Sequence, residues 1–126
     1  MTSPTSVLDM VPSKIGHEHG SQLLKGVLDM CLLAVIAEQA TYGYEMARKL
    51  ESRGLRLASE GSIYPLLSRL QRQGLVEGYL VESAGGPARK YYRLAPSGAR
   101  TLSAWIADWE ALAAGVNGVI KGVDNG

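Results

Sequence analysis

With 126 residues, 46% of them hydrophobic, the sequence has room for one domain with a modest core, whose high surface-to-volume ratio favours help from a partner chain. Its single cysteine, Cys31, excludes an intramolecular disulfide, and the apolar neighbours in LLKGVLDMCLLAVIAEQA make it a small buried hydrophobe rather than a redox or metal group. The longest apolar run is broken by Asp29 and Glu38 and is too short to cross a bilayer, and residues 1–20 lack the pattern of a secretory signal, so a cytoplasmic protein with no membrane partner is expected.

Residues 1–21 mix Ser, Thr, Pro, Gly and His without periodicity and are expected to form a flexible tail. His17 and His19 stand two apart within it, but no cysteine or carboxylate cluster accompanies them, and no metal is assigned. From Leu23 to Gln39, the residues Leu24, Val27, Leu28, Cys31, Leu32, Val35 and Ile36 recur at three-and-four spacing and on several sides, which predicts a largely buried helix. After a break at ATYG, Tyr44 to Arg53 reads as a second helix with Met46, Ala47 and Leu50 inward, Glu45, Arg48 and Lys49 outward, and Gly54 closing it. Leu55 to Ala58 reads as a short strand or an extended linker.

SEGSIYPLLSRLQRQG predicts the third helix, with Ser59 as its N-cap, Glu60 in the first turn and Gly74 as its stop. Pro65 falls beyond the first turn of such a helix, where it costs a hydrogen bond and crowds an earlier carbonyl. Ile63, Leu66, Leu67 and Leu70 share one face, which leaves Gly61, Pro65, Ser68, Arg69 and Arg72 on the other. Small residues allow close approach and guanidinium groups suit guanine edges or phosphates; an ordinary solvated amphipathic helix has the same pattern.

Next, GLVEGYLVES and KYYRL are strand material, and the glycines and proline of ESAGGPARK punctuate a turn between them. A two-stranded hairpin with a basic, flexible tip at Arg89 and Lys90 is expected. Finally, APSGARTLSAWIADWEALAAGV predicts a helix over 96–116 whose Leu102, Trp105, Ile106, Trp109, Leu112, Ala113 and Val116 trace one wide apolar stripe. Two tryptophans on such a stripe predict burial against a second subunit in a homodimer, with packing onto the first helix as the alternative. Residues 117–126, rich in glycine, are expected to form a flexible tail.

The expected architecture is mainly α with a small β-hairpin: a winged helix-turn-helix over residues 22–95 followed by a C-terminal dimerisation helix. Net charge is only +1, yet residues 43–100 hold ten Lys/Arg against five Asp/Glu, giving +5, while the remainder holds three against seven, giving −4. Basic charge is thus concentrated where a groove-reading element is expected.

LLKGVLDMCLLAVI, YGYEMARKLE, GSIYPLLSRLQRQGLVEG and GGPARKYYRLAPSGAR resemble, in the same order, the PadR-type family of bacterial transcriptional regulators, over about residues 23–109. The Tyr64-Pro65 pair and the Gly85-Gly86-Pro87 run before Arg89-Lys90-Tyr91-Tyr92 are its most specific parts. The resemblance implies a homodimeric repressor of a palindromic operator on double-stranded DNA, often its own, in the compact branch with a single C-terminal dimerisation helix crossing the partner's N-terminal helix. By position, Ser62, Tyr64, Ser68, Arg69 and Arg72 correspond to the recognition helix, and Arg89 and Lys90 to the wing. Leu24, Leu28, Leu102, Trp105, Ile106, Trp109 and Leu112 are the candidate dimer interface, and Trp105 with Trp109 the candidate pocket for a small-molecule effector; no cofactor is expected. A rival class is a winged-helix protein-interaction module without operator preference. No enzyme is expected, because the sequence lacks a Cys, His and carboxylate constellation and a phosphate-binding glycine loop.

Overall fold

The computed structural model describes residues 13–56 and 60–125. Helix α1 runs Ser13–Glu38, strand β1 is Thr41–Tyr42, and α2 is Gly43–Ser52. A single 3₁₀ turn, Glu60–Ile63, leads into α3, Tyr64–Arg72, followed by β2, Val76–Ser83, β3, Gly86–Leu94, and α4, Pro96–Asn125. Residues 57–59, which include the expected cap Ser59 and part of the expected strand or linker, lie outside the described residues, as do residues 1–12 of the expected tail.

The core forms where the apolar spacings predict it. Leu28, Leu32, Leu33, Val35 and Ile36 of α1 are buried with Met46, Ala47 and Leu50 of α2 and Ile63, Leu67 and Leu70 from the third helical segment. Cys31 is half-buried against this cluster, and desolvation raises its thiol pKa, as expected of a packing residue rather than a reactive one. An ion pair between Arg53 and Glu38 joins the ends of α1 and α2, and the hydrogen bond from Arg53 holds the Glu38 carboxyl below its ordinary range. Gly54 and Gly74 adopt positive φ, so each helix ends in a conformation that glycine reaches without strain.

Three features depart from the expectation. Pro65 does not sit inside a helix: the chain makes a 3₁₀ turn first and restarts as α3, so the proline occupies the first α-turn, where no backbone N–H is needed. Ile63 stands at the N-cap position of α3 and makes no side-chain capping hydrogen bond. Both terminal helices are also longer than predicted. Helix α1 already begins at Ser13, and α4 continues past Val116 to Asn125 because Val119, Ile120 and Val123 prolong its apolar spacing.

The sheet has three strands in the order β1-β3-β2, all antiparallel. Thr41 pairs with Tyr92 and Tyr42 with Tyr91, so a two-residue strand ties the start of α2 to the hairpin. Ala84 and Gly85 make the hairpin turn, with Gly85 at positive φ. Arg89 and Lys90 therefore lie within β3, opposite Val81 and Leu80, rather than at a flexible tip. Helix α4 is docked by its first turn: Ser97 Oγ donates to the Gly74 carbonyl at 2.7 Å, and Gly98 lies so close to the Leu75 carbonyl that no side chain fits between them.

Candidate nucleic-acid interface

On α3, residues four apart stack along one row. Tyr64, Ser68 and Arg72 form such a row, and all three are exposed. At 100° per residue, Arg72 points about 170° from the mean direction of Ile63, Leu66, Leu67 and Leu70, whereas Arg69 is turned only about 110° away. That difference decides their environments. Arg69 Nη2 donates to Asp29 Oδ2 of α1, while Arg72 has no hydrogen-bond or ion-pair partner among the described residues. Ser62 is exposed in the 3₁₀ turn.

Tyr64 is held in place from two sides. Its hydroxyl donates to Glu60 Oε2 at 2.6 Å, and this bond, with a lesser contribution from burial, pushes its pKa up to about 12. Its ring lies against Gly43 at the start of α2, where a Cβ would come within 2.5 Å of the ring. Glycine at that position is thus what lets α2 and the start of α3 meet through an aromatic ring.

Alternation along β3 sends Arg89 and Tyr91 to one face and Lys90 and Tyr92 to the other. Tyr92 is buried in the core, and Tyr91 stacks between Tyr42 and Tyr79 at ring separations of 5.2 and 6.1 Å. Arg89 donates to the Tyr42 hydroxyl at 2.9 Å and covers the Tyr42 ring at 4.7 Å; Lys90 sits 5.5 Å from the Tyr92 ring. Arg48 makes the equivalent contact with Tyr44, donating to its hydroxyl at 3.1 Å. Tyr42, Gly43, Tyr44, Tyr64, Arg89, Lys90 and Tyr92 enclose one open groove of about 400 Å³, so the start of α2, the start of α3 and the wing face the same space. A surface of cations held over tyrosine rings, with hydroxyl donors between them, is suited to phosphate oxygens and sugar edges.

The other candidate residues lie on α1 and α4. Leu28 and Leu102 are buried within the subunit and have little surface to offer a partner, and Leu24 and Trp105 pack partly against the same core. Ile106, Trp109 and Leu112 are exposed, and the stripe continues through Val116, Val119, Ile120 and Val123. Trp105 and Trp109 share a cleft of about 270 Å³ with Gly26, Val27, Asp29 and Met30 of α1 and with Asp108 and Leu112. Among the described residues no cluster of His, Cys, Asp or Glu could hold a metal ion, no helix is long and apolar enough to cross a membrane, and the side chain of His17 lies outside them.

The model of the transcriptional regulator PadR-like family matches residues 32–104, more than half of the chain. The chain belongs to this family. A PadR-like transcriptional regulator from Bacillus cereus is 44% identical, with a TM-score of 0.71 over 79% of this chain and 97% of that one. A PadR family transcriptional regulator from Eggerthella lenta is 30% identical, with a TM-score of 0.76 over 86% of this chain and 94% of that one. Bacillus subtilis PadR, solved in complex with operator DNA, is 23% identical with a TM-score of 0.58 over 64% of this chain and 47% of that one, a likeness of fold.

In this PadR-like chain the groove takes Tyr64 from the expected third helix and Arg89 and Lys90 from the expected wing, and also residues at the start of α2 that the sequence does not single out. Tyr42, Tyr44 and Arg48 border or flank the groove, yet in the sequence they precede or decorate an ordinary amphipathic helix. The one usable signal was YGY: a glycine between two aromatics marks a close approach, here that of Tyr64.

Proposed function

We propose that this PadR-like regulator is a homodimeric repressor that binds a palindromic operator, with α3 in the major groove of each half-site and the wing along the adjoining backbone. The observation that carries this reading is the groove that brings Tyr64, the first residue of the exposed Tyr64, Ser68 and Arg72 row, together with Arg89 and Lys90. Carrying over the DNA partner of the Bacillus subtilis relative agrees with it. Arg72 reaches base edges or phosphates, Ser68 and the Tyr64 hydroxyl add polar contacts, and Arg89, Lys90 and Arg48 neutralise phosphate.

Dimerisation uses the exposed stripe of α4, whose continuous apolar surface from Ile106 to Val123 exceeds what a monomer ordinarily leaves in water. Two recognition helices about one helical turn apart then meet the two half-sites. A small-molecule effector seated beside Trp105 and Trp109 changes DNA affinity only if it binds one spacing of those helices better than another. The regulator acts in the cytoplasm and controls its own gene.

The test is fluorescence anisotropy of the full chain against a labelled duplex from upstream of its own gene and against a scrambled duplex, across several salt concentrations. Preference for the upstream duplex by orders of magnitude is the expected result. Equal and steeply salt-dependent binding to both removes autoregulation from the proposal, and binding to neither favours a winged-helix module that meets an acidic protein.

A further inference from the structure

The two arginines of α3 differ in what they touch. Arg72 points away from the core and has no partner among the described residues; Arg69 lies on the flank toward α1 and bonds to Asp29, forty residues earlier in the chain. The Asp29 side chain is more shielded than that of Arg69, 23% against 46% exposed, and its second oxygen, Oδ1, is buried with no hydrogen-bond partner among the described residues. Swinging Arg69 out to a phosphate would leave that carboxylate without its counter-charge in a partly desolvated place, which opposes the move.

We infer that Arg69 is a positioning residue that sets the rotation of α3 on α1 through Asp29 and does not itself touch DNA. The inference rests on the operator-binding reading of α3. Ile63, Leu67 and Leu70 seat α3 by an aliphatic face that resists separation more than rolling, while the Tyr64 ring against Gly43 holds its first residue. A roll of about 20° sweeps the side-chain ends of a helix of about 5–6 Å radius through about 2 Å. That is enough to break a hydrogen bond from Arg72 to a base edge. An ion pair on the flank, off the line of the apolar contacts, is where a restraint on rolling has the longest lever. Asp29 also walls the cleft shared with Trp105 and Trp109, so the pair runs from that cleft to the recognition helix.

The experiment is a charge exchange in the full chain: Asp29→Arg, Arg69→Asp and the two together, each tested for its ratio of affinities for operator and scrambled duplex, with thermal melts beside them. Each single change should lower the ratio by about tenfold, and the exchanged pair should recover most of it although residue 69 is then negative. A double variant as poor as Arg69→Asp alone overturns the inference, because it means that a cation at 69 is needed by the DNA.

If an exchanged chain fails to fold, the neutral pair Asp29→Asn and Arg69→Gln gives the same decision. The effect of Arg69→Gln should vanish in the Asp29→Asn background, whereas an undiminished effect there overturns the inference. Hydrogen exchange of the amides of residues 64–72 needs no DNA and separates the two failures. A wild type without operator preference refutes the operator reading itself, and unchanged exchange in Asp29→Asn then overturns the restraint as well.

Discussion

Trp109→Ala tests the proposed dimer most directly, because the indole is 44% exposed in the subunit while its neighbour Trp105 is half-buried against the core. A tryptophan presents up to about 250 Å² in the unfolded chain, so roughly 110 Å² of Trp109 remains for a partner to cover. At about 25 cal/mol per Å² this amounts to roughly 2–3 kcal/mol per subunit, and twofold symmetry counts it twice, for about 5 kcal/mol per dimer. Since about 1.4 kcal/mol is tenfold, and alanine retains part of the contact, the dimer dissociation constant should rise by about a thousandfold. Alanine is the best helix former, so the substitution does not weaken α4 locally. Sedimentation equilibrium over a concentration series reads the change, with Ser103→Ala, at an exposed position of the same helix, as the control. A Trp109→Ala protein that dimerises as tightly as wild type refutes the placement of the interface on this stripe. The same loss should weaken operator binding, because a monomer engages one half-site and forfeits the effective concentration of the second.

Arg72→Ala should cost roughly 1–3 kcal/mol on the operator alone if the guanidinium reads a guanine, or weaken all duplexes alike and flatten the salt slope by about one if it holds a phosphate; unchanged binding in anisotropy removes it from the interface. Gly98→Ala should destabilise the fold by about 1–3 kcal/mol in urea denaturation, because the added methyl meets the Leu75 carbonyl, backbone that cannot swing aside. Glu60→Ala should bring the titration of Tyr64, followed by phenolate absorbance, down from about 12 toward the ordinary 10.0. Because folding raises this pKa, the bond between Tyr64 and Glu60 contributes stability in full below about pH 10 and loses it as pH rises through about 12, so the two proteins should differ less in stability at the alkaline end.

The helices were legible because their cores repeat: Met46, Ala47 and Leu50, then Ile63, Leu67 and Leu70, announce one buried face each. Strand β1 was not, since Thr41 and Tyr42 are too few to show alternation and are strand only because β3 pairs with them. The wing was read correctly as a hairpin but its turn was misplaced. Gly86 and Pro87 look like the turn, yet they start β3, and the strand tolerates Pro87 because β1 pairs only with Tyr91 and Tyr92, leaving that side of β3 open where the proline lies. The ends of α1 and α4 escaped for a different reason: glycine and polar residues lower intrinsic propensity, and in α4 they mask the apolar spacing of Val119, Ile120 and Val123 that carries the helix on.

The basic excess of residues 43–100 overstates what DNA can use, because ion pairing across the fold is invisible in a charge count. Arg53 is paired with Glu38, Arg69 with Asp29 and Arg93 with Glu77. Two of these three acids lie in α1, outside the basic stretch, so the acidic remainder of the chain is partly the counter-charge of the basic middle. The cations left at the groove and on α3 are Arg48, Arg89, Lys90 and Arg72, and the first three lie over tyrosine rings that share their position without neutralising them. In the proposed complex, affinity for phosphate therefore rests on α2 and the wing, and specificity on the row from Tyr64 to Arg72, whose aim depends on how α3 is seated. An arginine paired with α1 on the same helix as an arginine facing out is consistent with that proposed division: one fixes the helix, the other reads.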